Sequence, residues 1–427
     1  MKKLLIISPH FPPRNAADMH RVRLSLPHYE ENGWQPTVVC VDPLYYDVVE
    51  DPLLLESIPS NVKVHYVKAL QKKWTSKFGL GSLALRSFLF YEKYVTRLLR
   101  KEHFDLIFFS TTEFPVCVLG AYWTKKFNIP YVIDMQDPWH SEYYQNKPKA
   151  QRPPKYWFSY RLNKYLEPIA MRKVSGIMSV SADYIEVLTQ RYNKVKKIPT
   201  AVITFPAAIK DFEIVDANKA YLATPLLNNN TINLVYIGRG GHDLKQAATL
   251  LFENFRLQLS KGDGLFEKFK FYFIGTSYAP KGMGIATIKP IADSMGLANH
   301  VYEQTDRISY FETLAYLSNA DGLVILGSDD PGYTASKIYP YILSKKPILA
   351  IFNLKSSAAE IIRDCNAGSV ADIQNKVQAG KIIQDFLNNM ANPNFVYEQM
   401  NIENFSIYSA EALTKKQCDL FNQVVQC

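Results

Sequence analysis

The chain has 427 residues, of which 47% are hydrophobic and 21% charged; this composition excludes a disordered protein, and the length predicts two domains of about 200 residues each. The formal net charge of +9 resides in the first half, because residues 1–205 carry 29 lysines and arginines against 18 acidic residues, whereas residues 206–427 carry 20 against 22. A basic half suits an anionic membrane or phosphorylated substrates, and the absence of a recognisable nucleic-acid module argues against nucleic acid as a partner.

The first half alternates short apolar runs with segments of helical spacing. Each run is five to seven residues long and ends at a turn signal, as is typical of buried parallel strands. Strands are predicted at Lys3–Ser8, Pro36–Val41, Val62–Val67, Asp105–Ser110, Pro130–Asp134, Gly176–Val180 and Pro199–Phe205. Helices are predicted near 16–31, 82–102, 115–127, 155–173 and 181–193. This alternation predicts a doubly wound α/β domain over residues 1–205.

The same pattern restarts after Phe205 and an Asn-rich stretch. Strands are predicted at Ile232–Gly238, Phe269–Ile274, His300–Tyr302, Gly322–Leu326, Ile348–Phe352 and Gly368–Val370. Helices are predicted near 244–259, 286–296, 308–318, 336–344, 356–364 and 373–389. We therefore expect a second domain of the same class over residues 206–405, followed by a terminal segment, 406–427, with the apolar spacing of a helix.

No apolar run in the sequence is long enough to cross a bilayer, and the run after Lys2-Lys3 is too short for a signal peptide. The five cysteines are odd in number and include no Cys-x-x-Cys pair, which argues against disulfides and structural zinc. We expect a cytoplasmic protein.

Two segments of the second half carry a resemblance to a known family. The stretch from Gly332 to Phe352 resembles the donor-binding segment of GT-B glycosyltransferases, in particular the retaining glycosyltransferase family 4. The positions that keep the family pattern are Ser336, Lys337, Tyr341, Lys346, Pro347 and Ala350. Gly332 and Pro340 stand where the family has two acidic residues. The second segment, Ile237-Gly-Arg-Gly-Gly-His-Asp-Leu-Lys245, is similar to the family's glycine-rich diphosphate turn.

The resemblance implies the GT-B architecture, in which two Rossmann-like domains face each other across a cleft and the terminal helix packs back on the first domain. It also implies a nucleotide-sugar donor without a metal or other cofactor. Arg239 and Lys245 would then neutralise the donor diphosphate, because a metal-free transferase must supply cations where charge develops on the leaving group. The alternative for this turn is an ordinary strand-to-helix connection with two solvated cations.

Six further positions of the second half complete the expected donor site. Ser336 and Lys337 are expected to support the diphosphate. Nucleotide or sugar contacts are expected from Gly238, Gly275, Thr334 and Asp330. For Gly275 an ordinary turn is an equal alternative, and for Asp330 the alternative is a solvated turn.

The first half is expected to hold the acceptor. The loop from Ser8 to Arg21 resembles the family's loop after the first strand, and it places His10, Arg14 and Arg21 at the carboxyl end of that strand, where open α/β sheets bind ligands. His10 is a catalytic candidate, with a structural histidine as the alternative. Arg14 and Arg21 are expected on the acceptor side.

A second catalytic candidate follows a later strand. Val132-Ile-Asp-Met-Gln-Asp-Pro-Trp139 resembles the Asp-x-Arg-Asp-x-Trp signature of the polysaccharide-assembling branch of the family, with Gln136 in place of arginine. Asp137 would orient the acceptor hydroxyl or the donor sugar; the alternative is a helix cap.

Two segments combine basic and aromatic residues, one around Lys72–Leu80 and one at Tyr143–Lys164. Cations beside aromatic rings suit an anionic bilayer surface, where a lipid-pyrophosphate acceptor would lie. A solvated loop and helix face is the alternative.

These features together predict a glycosyltransferase that moves a sugar from a nucleotide-sugar to a glycan or lipid-linked acceptor in surface-polysaccharide assembly, with retention. Two alternatives stay open at this point: a nucleotide-sugar 2-epimerase, which needs a cluster of acids against the sugar, and a non-catalytic sugar-nucleotide-binding partner, suggested by Gly332 and Pro340.

Overall fold

The fold is taken from a computed structural model, which describes residues 1–46, 48–75, 80–142, 145, 148–149, 152, 156–262, 264–329, 338–398 and 400–426. The chain divides into two compact units. The first unit comprises Met1–Pro206 and Tyr408–Cys427, and the second comprises Ala207–Ile407. The boundaries expected from the sequence were 205/206 and 405/406.

The first unit is built on a sheet of seven parallel strands in the order β3-β2-β1-β4-β5-β6-β7. The strands are β1 (Lys2–Ile7), β2 (Trp34–Val41), β3 (Lys63–Val67), β4 (Leu106–Ser110), β5 (Tyr131–Met135), β6 (Gly176–Ser179) and β7 (Thr200–Val202). Every residue of β4 and β5 is buried, which explains their continuous apolar runs. Ile7 pairs with Phe109 and Ser110 with Asp134, so the loops after β1, β4 and β5 leave the sheet at one edge.

Six helices connect these strands: α1 (Met19–Ser25), α2 (Lys72–Thr75), α3 (Leu83–Lys101), α4 (Val118–Phe127), α5 (Tyr156–Met171) and α6 (Ala182–Arg191). Five of them fall within the predicted segments. The helix predicted near 16–31 is split, because Pro27 follows α1 and the chain continues there as a 3-10 turn, Leu26–His28. The short α2 was not predicted.

The terminal helix lies in the first unit. It is the last of the chain, α15 (Ala410–Gln426), and its apolar side chains Leu413, Leu420, Phe421 and Val424 are buried in the same core as Leu4, Trp34 and Phe108 of the first sheet. Phe421 packs with its ring centroid 5.0 Å from that of Phe108. The side chain of Gln417 accepts a hydrogen bond from the Tyr29 hydroxyl (3.0 Å) and donates to Ser25 (2.8 Å), which fixes the helix against α1.

The second unit repeats the plan with six parallel strands in the order β10-β9-β8-β11-β12-β13. The strands are β8 (Ile232–Ile237), β9 (Phe269–Ile274), β10 (Val301–Gln304), β11 (Gly322–Leu326), β12 (Ile348–Phe352) and β13 (Ser369–Asp372). All thirteen strands of the two sheets fall at the predicted apolar runs, and the prediction of two doubly wound parallel sheets is confirmed.

The helices of the second unit are α7 (Ile209–Ala217), α8 (Lys245–Leu259), α9 (Lys289–Ser294), α10 (Tyr310–Asn319), α11 (Ile338–Leu343), α12 (Ser357–Asp364), α13 (Lys376–Ala391) and α14 (Ile402–Ser406). The sequence did not predict α7 and α14. No helix among the described residues is both long and apolar enough to cross a membrane.

Candidate functional site

The loop after β1 brings His10 to the edge of the first sheet and pairs it with Asp18. His10 Nδ1 lies 2.9 Å from Oδ1 and 3.0 Å from Oδ2 of Asp18. The imidazole edge also meets the ring of Tyr46, with centroids 5.1 Å apart. Burial acts to lower the pKa of His10, but the charge of Asp18 and its hydrogen bond outweigh burial, so the pKa is raised above its ordinary value.

Asp18 is itself buried and held by the loop after β4. Its Oδ2 accepts from the Thr111 hydroxyl at 3.0 Å, from the Thr112 backbone N–H at 3.3 Å and from the Thr112 hydroxyl at 3.4 Å. Burial acts to raise the pKa of Asp18, and the charge of His10 with these hydrogen bonds brings it below the ordinary value. Sequence reasoning missed Asp18, although its position eight residues after His10 within one loop was a usable signal.

Arg21 points into the first unit. The guanidinium Nε lies 2.7 Å from Asp134 Oδ2, and both side chains are 0% exposed. Its two other nitrogens donate to the carbonyls of Ile203 (2.7 Å) and Thr204 (2.9 Å). The structure thus corrects the expectation that Arg21 presents its charge on the acceptor side. The side chain turns into the unit and joins α1 to β5 and to the segment after β7.

Arg14 lies nearer the surface of the same loop. It donates to the carbonyl of Val48 at 3.0 Å and approaches Glu50 at 3.4 Å, while a quarter of its side chain stays exposed. These contacts pin the loop after β1 to the segment after β2. Whether Arg14 also meets an acceptor stays a prediction.

Asp137 follows β5 at the same edge and is exposed, so its carboxylate is accessible. Partial desolvation, aided by the nearby charge of Asp18, raises the pKa of Asp137. The preceding Gln136 is buried and links the two carboxylate systems of this edge: its Nε2 donates to Asp134 Oδ2 (2.7 Å) and lies 3.3 Å from the carbonyl of Asp18. The edge therefore gathers His10, Asp18, Asp134 and Asp137.

In the second unit, the predicted diphosphate turn joins β8 to α8. Gly238 follows the last residue of β8, and its N–H donates to the carbonyl of Ile274 on β9 at 3.0 Å. Arg239 forms a two-pronged ion pair with Asp243, one contact of which measures 2.8 Å. Gly241 has a φ of 143°, and a Cβ there would lie 2.7 Å from Asp243 Oδ1 and 2.9 Å from Arg239 Nη1. The glycine is required because the ion pair crosses the turn directly over it.

Lys245 is exposed and is the first residue of α8, so its ammonium lies at the helix start, which is the positive end of the helix dipole. It lines a pocket of about 360 Å³ within the second unit. The pocket is lined by His242, Asp243, Lys245, Gln246, Thr249, Leu250, Glu253, Asp329 and Lys376. Arg239 is not among these residues, although its ion-pair partner Asp243 is.

Gly275 follows β9 and lies beside the same turn. Its φ of 74° lies in the left-handed region, and its N–H donates to the carbonyl of Gln304 at 2.8 Å. The next residue, Thr276, is buried and donates to Glu303 at 2.7 Å. Glu303 in turn accepts from three consecutive backbone N–H groups, those of Thr287, Ile288 and Lys289, at 2.7–3.0 Å. This carboxylate therefore anchors the start of α9.

Tyr341, one of the residues that keep the family pattern, fixes the end of β8. Its hydroxyl accepts from the N–H of Ile237 at 2.7 Å and donates to the carbonyl of the same residue at 3.1 Å. The tyrosine is 1% exposed. It thus positions the residue that precedes Gly238, a role that sequence reasoning did not assign. Pro340 precedes it in the short α11.

Five positions of the expected donor site lie outside the described residues: Asp330, Gly332, Thr334, Ser336 and Lys337. Their roles stay predictions. Within the part of the chain that the structure describes, no group of three or more His, Cys, Asp or Glu side chains has the arrangement of a metal site.

Comparison with known proteins agrees with these two sheets. The chain aligns over 99% of its length with 99% of sucrose-phosphate synthase from Thermosynechococcus elongatus (14% identity, TM-score 0.61). It aligns over 98% with 98% of HepE from Anabaena, solved in complex with UDP-glucose (14% identity, TM-score 0.58). The UDP-forming α,α-trehalose-phosphate synthase from Burkholderia xenovorans gives 99% coverage of both chains (11% identity, TM-score 0.59). At such identities the likeness establishes the fold, which is that of the GT-B glycosyltransferases.

The sequence of the first unit carries the family assignment. Residues 26–204 match the model of Glycosyltransferase Family 4. This match lies within the first unit and covers less than half of the chain, so it shows that the first unit contains a family 4 domain. Together with the fold it identifies a glycosyltransferase, and the resemblance predicted from the sequence is confirmed. No curated protein matches the chain closely enough to count as a relative.

Proposed function

We propose that this glycosyltransferase moves a sugar from a nucleotide-sugar donor to a glycan or lipid-linked acceptor during cell-surface polysaccharide assembly, on the cytoplasmic face of the membrane. The observation that carries the donor half of the proposal is the turn from Gly238 to Lys245, which lies at the carboxyl end of the central strand β8 and brings Arg239 and Lys245 to the start of a 15-residue helix. HepE, which has the same fold, is described in complexes with UDP and with UDP-glucose.

The diphosphate is the group that this turn suits best. Aligned N–H groups at a helix start favour phosphate, and a guanidinium can bind two phosphate oxygens at once. Asp243 pairs with that guanidinium, and the two side chains are 42% and 40% exposed. An ion pair this exposed is weak, so exchanging the carboxylate for a diphosphate costs little. Asp243 would thus hold Arg239 in place until the donor arrives.

Substitution of Arg239 tests the donor site. Arg239→Ala should lower turnover by about 100-fold, because one cation that stabilises the leaving diphosphate is removed. The matched control is Asp243→Asn, which removes the competing carboxylate and leaves the cation, and which should keep turnover within a few-fold and lower the KM for the donor. Release of the nucleoside diphosphate in the presence of acceptor is the assay. Equal turnover of Arg239→Ala and the wild type would show that this turn is not part of the donor site.

For the chemistry we propose retention of the anomeric configuration, with His10 and Asp137 facing the transferred sugar and the leaving phosphate accepting the proton of the acceptor hydroxyl. Because Arg239 and Lys245 supply positive charge, turnover should persist in excess EDTA. The anomeric configuration of the product, read from its proton coupling constants, tests retention, and a product of inverted configuration would exclude retention. If turnover is lost in EDTA and restored by Mg²⁺, metal-independent transfer is excluded.

We also propose that the first unit contacts an anionic membrane through α5. Trp157 (64% exposed) and Tyr165 (70% exposed) share one exposed stripe of this helix with Arg161 and Lys164. The guanidinium carbon of Arg161 lies 5.8 Å from the centroid of the Trp157 ring, and Lys164 Nζ lies 5.5 Å from that of Tyr160. Amphipathic rings beside cations are the composition that headgroup regions favour.

Vesicle sedimentation tests the membrane surface. The wild type should sediment with anionic vesicles at low salt and much less with zwitterionic ones, since each cation near the surface contributes about 1 kcal/mol. Replacing Arg161 and Lys164 by glutamine should reduce sedimentation roughly 10-fold or more. The same change at Lys415 and Lys416, two exposed residues of α15, is the control and should have a small effect. Equal sedimentation with both vesicle types would refute the proposal.

A further inference from the structure

We infer that Asp18 is a positioning residue that fixes the ring of His10 so that its outer nitrogen, Nε2, donates a hydrogen bond to a sugar hydroxyl of the substrate. The inference rests on the proposed transfer of a sugar and deepens it, because it states which atom of the first unit recognises the substrate and how that recognition depends on pH.

The geometry engages one ring nitrogen of His10, Nδ1, with Asp18 and leaves the other, Nε2, available to the substrate. Nδ1 faces both oxygens of Asp18 at 2.9 and 3.0 Å. The carboxylate cannot turn away, since Thr111 and Thr112 donate three hydrogen bonds to Oδ2. The His10 side chain is 14% exposed and that of Asp18 only 2%, so the accessible part of this pair belongs to the histidine. Among the described residues, no hydrogen bond involves Nε2.

The surrounding charges favour a hydroxyl over a phosphate as the partner of Nε2. The groups that face His10 are Asp18 on its own loop, Glu113 on the loop after β4 and the ring of Tyr46 after β2. Asp137, after β5, lies close enough to Asp18 for their charges to interact. One imidazolium among three carboxylates gives a negative environment, which repels an anion and accommodates a neutral hydroxyl. Asp137 can accept from that hydroxyl or from its neighbour on the sugar.

The same arrangement fixes which proton His10 loses. Because Asp18 accepts from Nδ1, that nitrogen keeps its proton, and deprotonation removes the proton of Nε2. Nε2 then changes from a hydrogen-bond donor to an acceptor. A hydroxyl that donates its own proton to Asp137 cannot also donate to the deprotonated Nε2. The contact is therefore present below the pKa of His10 and lost as the pH rises through it, and the KM of the substrate concerned should rise about 10-fold over that interval.

Asp18→Asn separates this role from a merely structural one. In the wild type the donors from Thr111 and Thr112 meet Oδ2, so the asparagine carbonyl should take that position and its amide should face Nδ1. The amide donates to Nδ1, which forces the neutral ring to carry its proton on Nε2. The variant should therefore show a lower His10 pKa than the wild type, a donor at Nε2 on both sides of that pKa, and a KM that no longer varies with pH.

The experiment is nitrogen-15 NMR of histidine-labelled protein without substrate, with His10→Gln used to assign the signals. The wild type should show an Nδ1–H tautomer above its pKa and Asp18→Asn an Nε2–H tautomer. The wild-type spectrum needs no variant to fold, and an Nε2–H tautomer there would overturn the inference. Because no sugar takes part, this result is independent of whether the protein proves to transfer one.

Kinetics on the wild type then assign the hydroxyl. A KM that rises with pH for the donor places it on the donor sugar, and a KM that rises for the acceptor places it on the acceptor; kcat should vary less than KM in either case. A KM for both substrates that stays constant through the measured pKa of His10 would overturn the inference.

Discussion

Arg21→Met removes a cation that the structure places wholly inside the first unit. The substitution keeps the length of the aliphatic stem and deletes the guanidinium that lies 2.7 Å from Asp134. Two backbone carbonyls, of Ile203 and Thr204, lose their donors at the same time. What stays behind is a buried carboxylate whose remaining donors are the side chains of Ser110 and Gln136.

Removing one partner of a buried ion pair costs about 3–5 kcal/mol. Because two neutral donors still solvate Asp134, we expect the lower end, about 3 kcal/mol at pH 7. Burial already raises the pKa of Asp134 above its ordinary value in the presence of Arg21, and the loss of Arg21 must raise it further. A carboxyl with a raised pKa destabilises the fold where it is ionised. The cost should therefore shrink as the pH falls toward the new pKa.

Tryptophan fluorescence follows the unfolding of the first unit selectively. All five tryptophans of the chain, Trp34, Trp74, Trp123, Trp139 and Trp157, lie in that unit. For a domain of this size, 3 kcal/mol lowers the thermal midpoint by about 6–12 °C. Arg14→Met is the control, because Arg14 lies in the loop that precedes α1 and is partly exposed, and it should cost less than about 1 kcal/mol. Equal midpoints for the two variants would refute the interior role of Arg21.

Two further substitutions test other buried side-chain contacts that stabilise the two units. Tyr341→Phe removes the hydroxyl that hydrogen-bonds both backbone groups of Ile237. It should lower the free energy of unfolding of the second unit by about 1–3 kcal/mol and weaken donor binding, both measured by calorimetry. An unchanged unfolding transition would contradict this role. Glu167→Gln removes the charge of a buried carboxylate that contacts Arg191 (3.1 Å) and accepts a hydrogen bond from the His140 N–H (3.1 Å). The midpoint of thermal unfolding, followed by tryptophan fluorescence, should fall by several degrees. A shift below 1 °C would contradict the stabilising role of this carboxylate.

Strands such as β4, β11 and β12 were predictable because each is a compact apolar run that is buried from end to end. In β12, Ile348–Phe352, all five residues are buried, and no tertiary information is needed to recognise such a run. The short helices were not predictable in the same way. In α7, Ile209–Ala217, no side chain caps the first turn, and its position depends on the contact of Asp211 with Tyr310 on α10 (2.7 Å).

The candidate site shows the same limit at the level of side chains. The sequence places His10, Arg14 and Arg21 in one loop, and chain position alone does not reveal that one arginine turns inward and the other outward, since packing against β5 decides it. Arg239 is similar. Its place after β8 follows from the strand and the glycines, whereas its pairing with Asp243 depends on the backbone path at Gly241.

Binding of a nucleoside diphosphate by calorimetry tests the central claim, that Arg239 and Lys245 hold the donor. A thermal-shift panel of nucleoside diphosphates first selects the ligand that stabilises the wild type most. Arg239→Ala and Lys245→Ala should each weaken its binding about 10-fold or more, and Asp243→Asn should bind it at least as tightly as the wild type. Equal affinity of all four proteins would contradict the claim.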